Sequence, residues 1–101
     1  MNHQAKTIKG INFEYGENEA QRYWEHTANG KTYLLLQPKA LPTYWVIIQL
    51  DDKGNCKSLN CTVRDRDGNI IQQDPLYNYH ELTVEGWLEK LANYIQSSIC
   101  S

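Results

Sequence analysis

Only three cysteines, three prolines and one phenylalanine occur among the 101 residues, and neither sign of charge dominates. An odd number of cysteines, behind an N-terminus "MNHQAKTIKG" that lacks an apolar run of signal-peptide length, argues against a disulfide framework. The longest apolar stretch, "YWVII", is far too short to cross a bilayer, so the expected location is the cytoplasm, with no membrane partner. Ten Lys and Arg stand against twelve Asp and Glu, a net charge of -2 with the cations scattered along the chain. Nucleic-acid binding driven by charge is therefore disfavoured. With 41% hydrophobic and 22% charged residues, the chain suits one ordinary globular domain, 1–101, around a single core.

The few cysteines also bear on metals. Cys56 and Cys61 form a C-x4-C pair, but along one strand a separation of five residues sends them to opposite faces, roughly 16 Å apart. No C-x2-C or histidine pair completes a zinc set, so no metal and no cofactor are expected. Cys61 reads as a small core residue and Cys100 as a thiol on a fraying tail. The stretch "DRDGN" (65–69) resembles the start of a calcium loop, yet counted from Asp65 the sixth and twelfth places hold Ile70 and Leu76 instead of Gly and Glu. The same D-x-x-G-N form recurs at "DDKGN" (51–55). Both suit a type I turn whose Asp bonds back to the backbone and whose Gly takes the left-handed angle.

Strand signals fill most of the remaining chain. Ile11, Phe13 and Tyr15 alternate with polar residues, and residues 1–6 before them read as a flexible tail. "TANGKTY" has Asn29 and Gly30 placed for a type I′ turn, which would pair Arg22–Ala28 with Lys31–Gln37. Residues 18–28 also fit helical spacing through Ala20, Tyr23, Trp24 and Ala28; the hairpin is the reading taken. The segment 38–43, "PKALPT", is a Pro-containing corner between two strand groups. In Thr43–Leu50 both faces are apolar; we expect Tyr44, Val46 and Ile48 under a helix and Trp45 with Ile47 on the other face. Leu59, Cys61 and Val63 read as one half-buried strand, and Ile70–Gln72 closes the meander.

The C-terminus carries the plainest periodicity. Val84, Trp87, Leu88, Leu91, Ile95 and Ile99 predict an amphipathic helix over 83–99, with Thr83 as N-cap and Leu82 and Trp87 as a hydrophobic staple. The expected fold class is α+β: an antiparallel meander of about six strands, an open sheet or a partly closed barrel, with this helix packed on it. Strands, corner, strands and a final Trp-bearing helix resemble the pleckstrin-homology-like architecture. The lipid-binding members of that group use a basic first hairpin loop, whereas "GENE" (16–19) is acidic, so inositol phosphate binding does not follow from the resemblance.

No G-x-S-x-G, P-loop or H-E-x-x-H pattern occurs, and His3, His26 and His80 have no supporting motif, so catalysis is not expected. What stands out is aromatic content: three Trp and seven Tyr exceed what one small core needs. Tyr23, Trp24, Tyr44, Trp45, Ile47, Tyr77 and Tyr79 are the candidate binding residues, because Trp and Tyr dominate interface hot spots. The expectation is a non-enzymatic domain that docks on a larger protein as inhibitor, immunity factor or adaptor, with a homodimer as a further arrangement. The alternatives are an enzyme with an unrecognised motif, or a binder of single-stranded nucleic acid or a small ligand through surface aromatics, the former lacking interleaved Lys and Arg.

Overall fold

The computed structural model describes residues 4–77 and 83–100, with side chains described through residue 97. Two-residue and five-residue turns dictate its plan. Asn29 and Gly30 both take positive φ, 54° and 76°, as a type I′ turn requires, and join β3 (Gln21–Ala28) to β4 (Lys31–Pro38) in eight consecutive antiparallel pairs. Lys9 and Gly10 make the corresponding turn between β1 (Ala5–Ile8) and β2 (Ile11–Glu17). The expected tail over 1–6 is thus too long: Ala5 pairs with Glu14, Lys6 pairs with Phe13, and Gln4 accepts a bond from the Tyr15 amide at 2.9 Å. The short alternation Lys6–Ile8 is too brief to stand out in the sequence, and only pairing with β2 gives it strand geometry.

Asp51 turns β5 (Val46–Leu50) into β6 (Cys56–Ser58) as expected. Its Oδ1 accepts the amides of Lys53 at 2.9 Å and Asn55 at 2.8 Å, and Gly54 sits at φ 86°. "DRDGN" repeats the device: Asp65 Oδ1 accepts from Asp67 and Asn69, both at 2.9 Å, and Gly68 sits at φ 88°. That second turn joins β7 (Thr62–Arg64) to β8 (Ile70–Gln73).

Strands β1 to β6 form one open sheet in sequence order, and β7 and β8 form a separate two-stranded ribbon. Three expectations are corrected by this pairing. The 38–43 corner does not divide two strand groups, because β4 and β5 on either side of it pair directly, Leu35 with Ile47; the two-group plan of the pleckstrin-homology-like resemblance is absent from the main sheet. Residues 59–63 are not one strand: the chain bends over Leu59 to Cys61 and leaves the main sheet before β7 begins. Ile70–Gln72 pairs with β7 instead of closing the meander. The bend also exposes Cys61, expected in the core; its Sγ donates to Oδ2 of the buried Asp74 at 3.1 Å.

Helix α1 spans Val84–Cys100, so Cys100 closes the helix instead of lying on a tail. Thr83 caps it, its hydroxyl accepting the Gly86 amide at 3.1 Å, a contact worth about 1 kcal/mol. The Leu82 half of the expected staple lies outside the described residues. Trp87, Leu88, Leu91, Ala92 and Ile95 form the buried stripe and meet Ile11, Phe13, Trp24, Tyr33, Leu35 and Ile47 of the sheet. Lys6 Nζ reaches Glu85 at 3.0 Å, and Tyr94 donates its hydroxyl to Gln49 at 3.0 Å. Burial raises the pKa of the Tyr33 phenol, helped by Tyr94 beside it.

Because Trp87 is only 3% exposed, Trp87→Ala is expected to cost roughly 3 to 5 kcal/mol in a denaturant titration. A parental midpoint would mean that α1 does not hold the core. The turns give a pH prediction. Hydrogen bonds from Asn55 hold the Asp51 carboxyl below the usual aspartate range, and the Asn69 amide does the same for Asp65. Each folded-state value lies below the unfolded one, so the turns' contribution is complete above the unfolded aspartate pKa and is lost as pH falls through the lower folded value. Carboxyl-carbon NMR should show both titrating below the ordinary aspartate range; ordinary midpoints would mean the turns are open in solution.

Candidate docking site

Two rungs of the sheet build a cleft beside the start of α1. Cross-strand pairing aligns Tyr15, Trp24, Leu35 and Ile47 as one row on the helix-bearing face. The next row toward the sheet end is polar: Glu17, Arg22 and Gln37. The helix begins at Val84 and leaves this end of the sheet partly open, and the result is a cleft of about 260 Å³. Trp24 and Leu35 form its floor, Tyr15, Trp45 and Val84 its apolar walls, and Gln4, Glu17, Arg22 and Gln37 its polar rim.

Each wall is held by an identifiable contact. Tyr15 meets Trp24 edge to face with ring centroids 5.0 Å apart, and Lys6 Nζ sits 5.6 Å from the Trp24 ring centroid. Asn60 donates to the Trp45 carbonyl at 2.8 Å and so ties the end of the corner to the bend after β6. The Gln37 side-chain amide donates to the Pro42 carbonyl, which draws the corner against β4. Lys39 reaches Glu17 at 2.9 Å, and its hydrogen bond and charge hold the Glu17 carboxyl below its usual range. The corner exposes Leu41 at 57%, and Tyr44, between the corner and β5, is 56% exposed.

The candidate residues are thereby sorted. Trp24 and Trp45 come together in the cleft, but Trp24 is 8% exposed and Ile47 0%, so these two belong to the core and only Trp45 offers accessible ring surface. The expected assignment of faces is inverted: Ile47, with Trp45 before it, lies on the side of α1, and Val46 and Ile48 lie on the opposite face. Tyr23 is also on that opposite face, paired with Leu36 and stacked over the bare Cα of Gly16. Tyr44, expected in the strand, precedes β5 and lies between it and the corner, Tyr77 is half-buried after the ribbon, and Tyr79 lies outside the described residues. His80 and His3 also lie outside them. His26 Nδ1 is 2.9 Å from the Asn12 carbonyl, with its ring edge-on to Phe13.

Tyr15, Arg22 and Gln37 are the members that sequence reasoning missed. A signal for them existed: once Asn29–Gly30 sets the β3–β4 register, the period of two places Arg22 on the face of Trp24 and Gln37 opposite Arg22. No protein-family model, curated protein or solved structure matches the chain.

Trp45 and Trp24 should behave differently on truncation. Trp24→Ala removes buried core and is expected to cost roughly 3 to 5 kcal/mol. Trp45→Ala, at the half-buried cleft wall, is expected to stay folded with a loss below about 2 kcal/mol. Circular dichroism with urea titration of both variants checks this; equal losses would make Trp45 a core residue.

Proposed function

We propose that the chain is a non-catalytic docking domain that binds a larger protein, as an inhibitor, immunity factor or adaptor, through the cleft and its corner. The observation that carries this reading is the gathering of Trp45, Tyr15 and Arg22 around one opening, with Leu41 and Tyr44 exposed in the connection that leads to Trp45. Trp, Tyr and Arg are the side chains that dominate binding energy, and they do so where a pocket allows full desolvation on docking. The cleft has a ready floor in Trp24 and Leu35, so a partner side chain entering it would meet packed apolar surface without rearranging the sheet. The rim supplies direction: Arg22 offers five N–H donors to carboxylates or carbonyls, and Gln4 and Gln37 offer amides.

The test is affinity capture from the native host with the parent chain, Trp45→Ala and Arg22→Ala in parallel, each shown to be folded. One protein should be retained by the parent and lost from both variants, with affinity in a purified assay falling by roughly 30-fold for Trp45→Ala, the hot-spot scale of about 2 kcal/mol. Retention of the same protein at parental affinity by Trp45→Ala would overturn the reading, as would capture of nucleic acid alone.

A further inference from the structure

We infer that the sheet face turned away from α1 is a second docking surface, and that its occupant is an amphipathic helix of a partner protein carrying Lys or Arg along one flank. Alternation places Tyr23, Leu34, Leu36, Val46, Ile48 and Leu50 on this face, all half-buried, and among the described residues no element packs on it. Tyr23 pairs with Leu36 and Leu36 with Val46, Leu34 pairs with Ile48, and Leu50 ends the row on β5. The apolar groups thus run obliquely from β3 to β5 over roughly 16 Å, at about 4.8 Å between strands and about 3.3 Å per residue.

Charge on this face has one sign. Glu14 and Glu25 are cross-strand partners beside Leu34, and like charges directly opposite each other are unfavourable. Neither makes an ion pair among the described residues. All four cations of β1–β6 fall on the other face: Lys6 pairs with Phe13, Arg22 and Lys31 alternate in step with Trp24 and Tyr33, and Lys57 pairs with Gln49. The surface is therefore an apolar stripe with an uncompensated acidic flank, and it calls for an apolar occupant with a basic edge.

The same features select the kind of occupant. Leu, Val and Ile side chains offer no hydrogen bonds, so an extended peptide laid on them would leave backbone groups unpaired, whereas a helix satisfies its own. Three turns of helix span about 16 Å, the length of the stripe. The opposite face of the same sheet already seats a helix in this way, with a Lys6–Glu85 ion pair at its start. A second copy of this chain is a poor occupant: its identical face brings two more carboxylates and no cation, and the outer residues of α1 include Glu85, Glu89 and Asn93.

The test uses two synthetic helical peptides of equal length with the same leucine stripe, one flanked by lysines and the other by glutamates. They are titrated into the labelled full chain and followed by amide NMR shifts and fluorescence anisotropy. The lysine peptide should shift Tyr23, Leu34, Leu36 and Ile48 and leave Arg22 and Trp45 unmoved. Its affinity should weaken with added salt and fall by about tenfold or more in a Glu14→Lys, Glu25→Lys double variant, about twice the effect of one exposed pair per site. The double variant should gain binding of the glutamate peptide, which keeps the test informative about charge independently of fold. Equal binding of both peptides, shifts confined to the cleft, or a concentration-dependent dimer that blocks this face would each overturn the inference. Failure of the cleft as a docking site would leave all these readouts unchanged.

Discussion

One helix has to cover six strands, and its buried stripe from Trp87 to Ile95 is wide enough for only one face of the sheet. An α-helix with its side chains is about 10 Å across, and the open sheet presents its apolar residues over more strands than that on both sides. Phe13, Trp24, Leu35 and Ile47 occupy the covered side, and each is buried. Whatever is apolar on the other side, and whatever extends past the first turn of the helix, is left for solvent or for a partner. Both candidate surfaces are consequences of this shortfall: the cleft is where α1 begins too late to cover the row of Glu17, Arg22 and Gln37, and the apolar stripe with its acidic flank is on the face it does not reach.

The ends of the sheet are held by polar contacts, each of which ties an element to something far from it in sequence. Glu85 binds Lys6, Glu17 binds Lys39, Tyr94 binds Gln49 and Asn60 binds the Trp45 carbonyl. Asp74, the one buried charged residue among those described, accepts from the Cys61 thiol and from Gln72 and stands where the ribbon joins the body. The ribbon itself leaves Val63, Ile70 and Ile71 exposed. An isolated two-stranded hairpin is only marginally stable, so the bonds of Asp65 and Asp74 carry much of its order.

Local chemistry was legible in the sequence wherever neighbours in the chain decide the outcome. Asn29–Gly30, "DDKGN" and "DRDGN" make the turns that their left-handed glycines and aspartate side chains require, because a turn closes within five residues. The helix was legible from its spacing and from Thr83, and the α+β class followed from turns and periodicity together, whereas the choice of an open sheet over a partly closed barrel came from the strand pairing. The order of residues 4–6 and the break at 59–61 were not legible, because Ala5–Ile8 takes its geometry from β2 and α1, and the bend at Leu59–Cys61 is fixed by bonds to Trp45, Ile47, Asp74 and Leu76, all more than ten residues away.

Which side of "TYWVIIQL" faces the helix was decided by tertiary structure alone. Alternation of period two leaves Val46 and Ile48 as apolar as Ile47, so nothing within the strand chooses between its faces. The choice is made by pairing Leu35 with Ile47 across the Pro-containing corner, a connection whose length does not set a register as a two-residue turn does. Once that pair forms, the clean alternation of Phe13 and the two-residue hairpin that places Trp24 opposite Leu35 pass the core face across the sheet. Residues close together in the chain set the turns, the helix and the identity of the large aromatic groups. The ladder between strands distant in the chain decided which of those groups are core and which are left at the surface, because a face is a property of neighbouring strands and not of one strand.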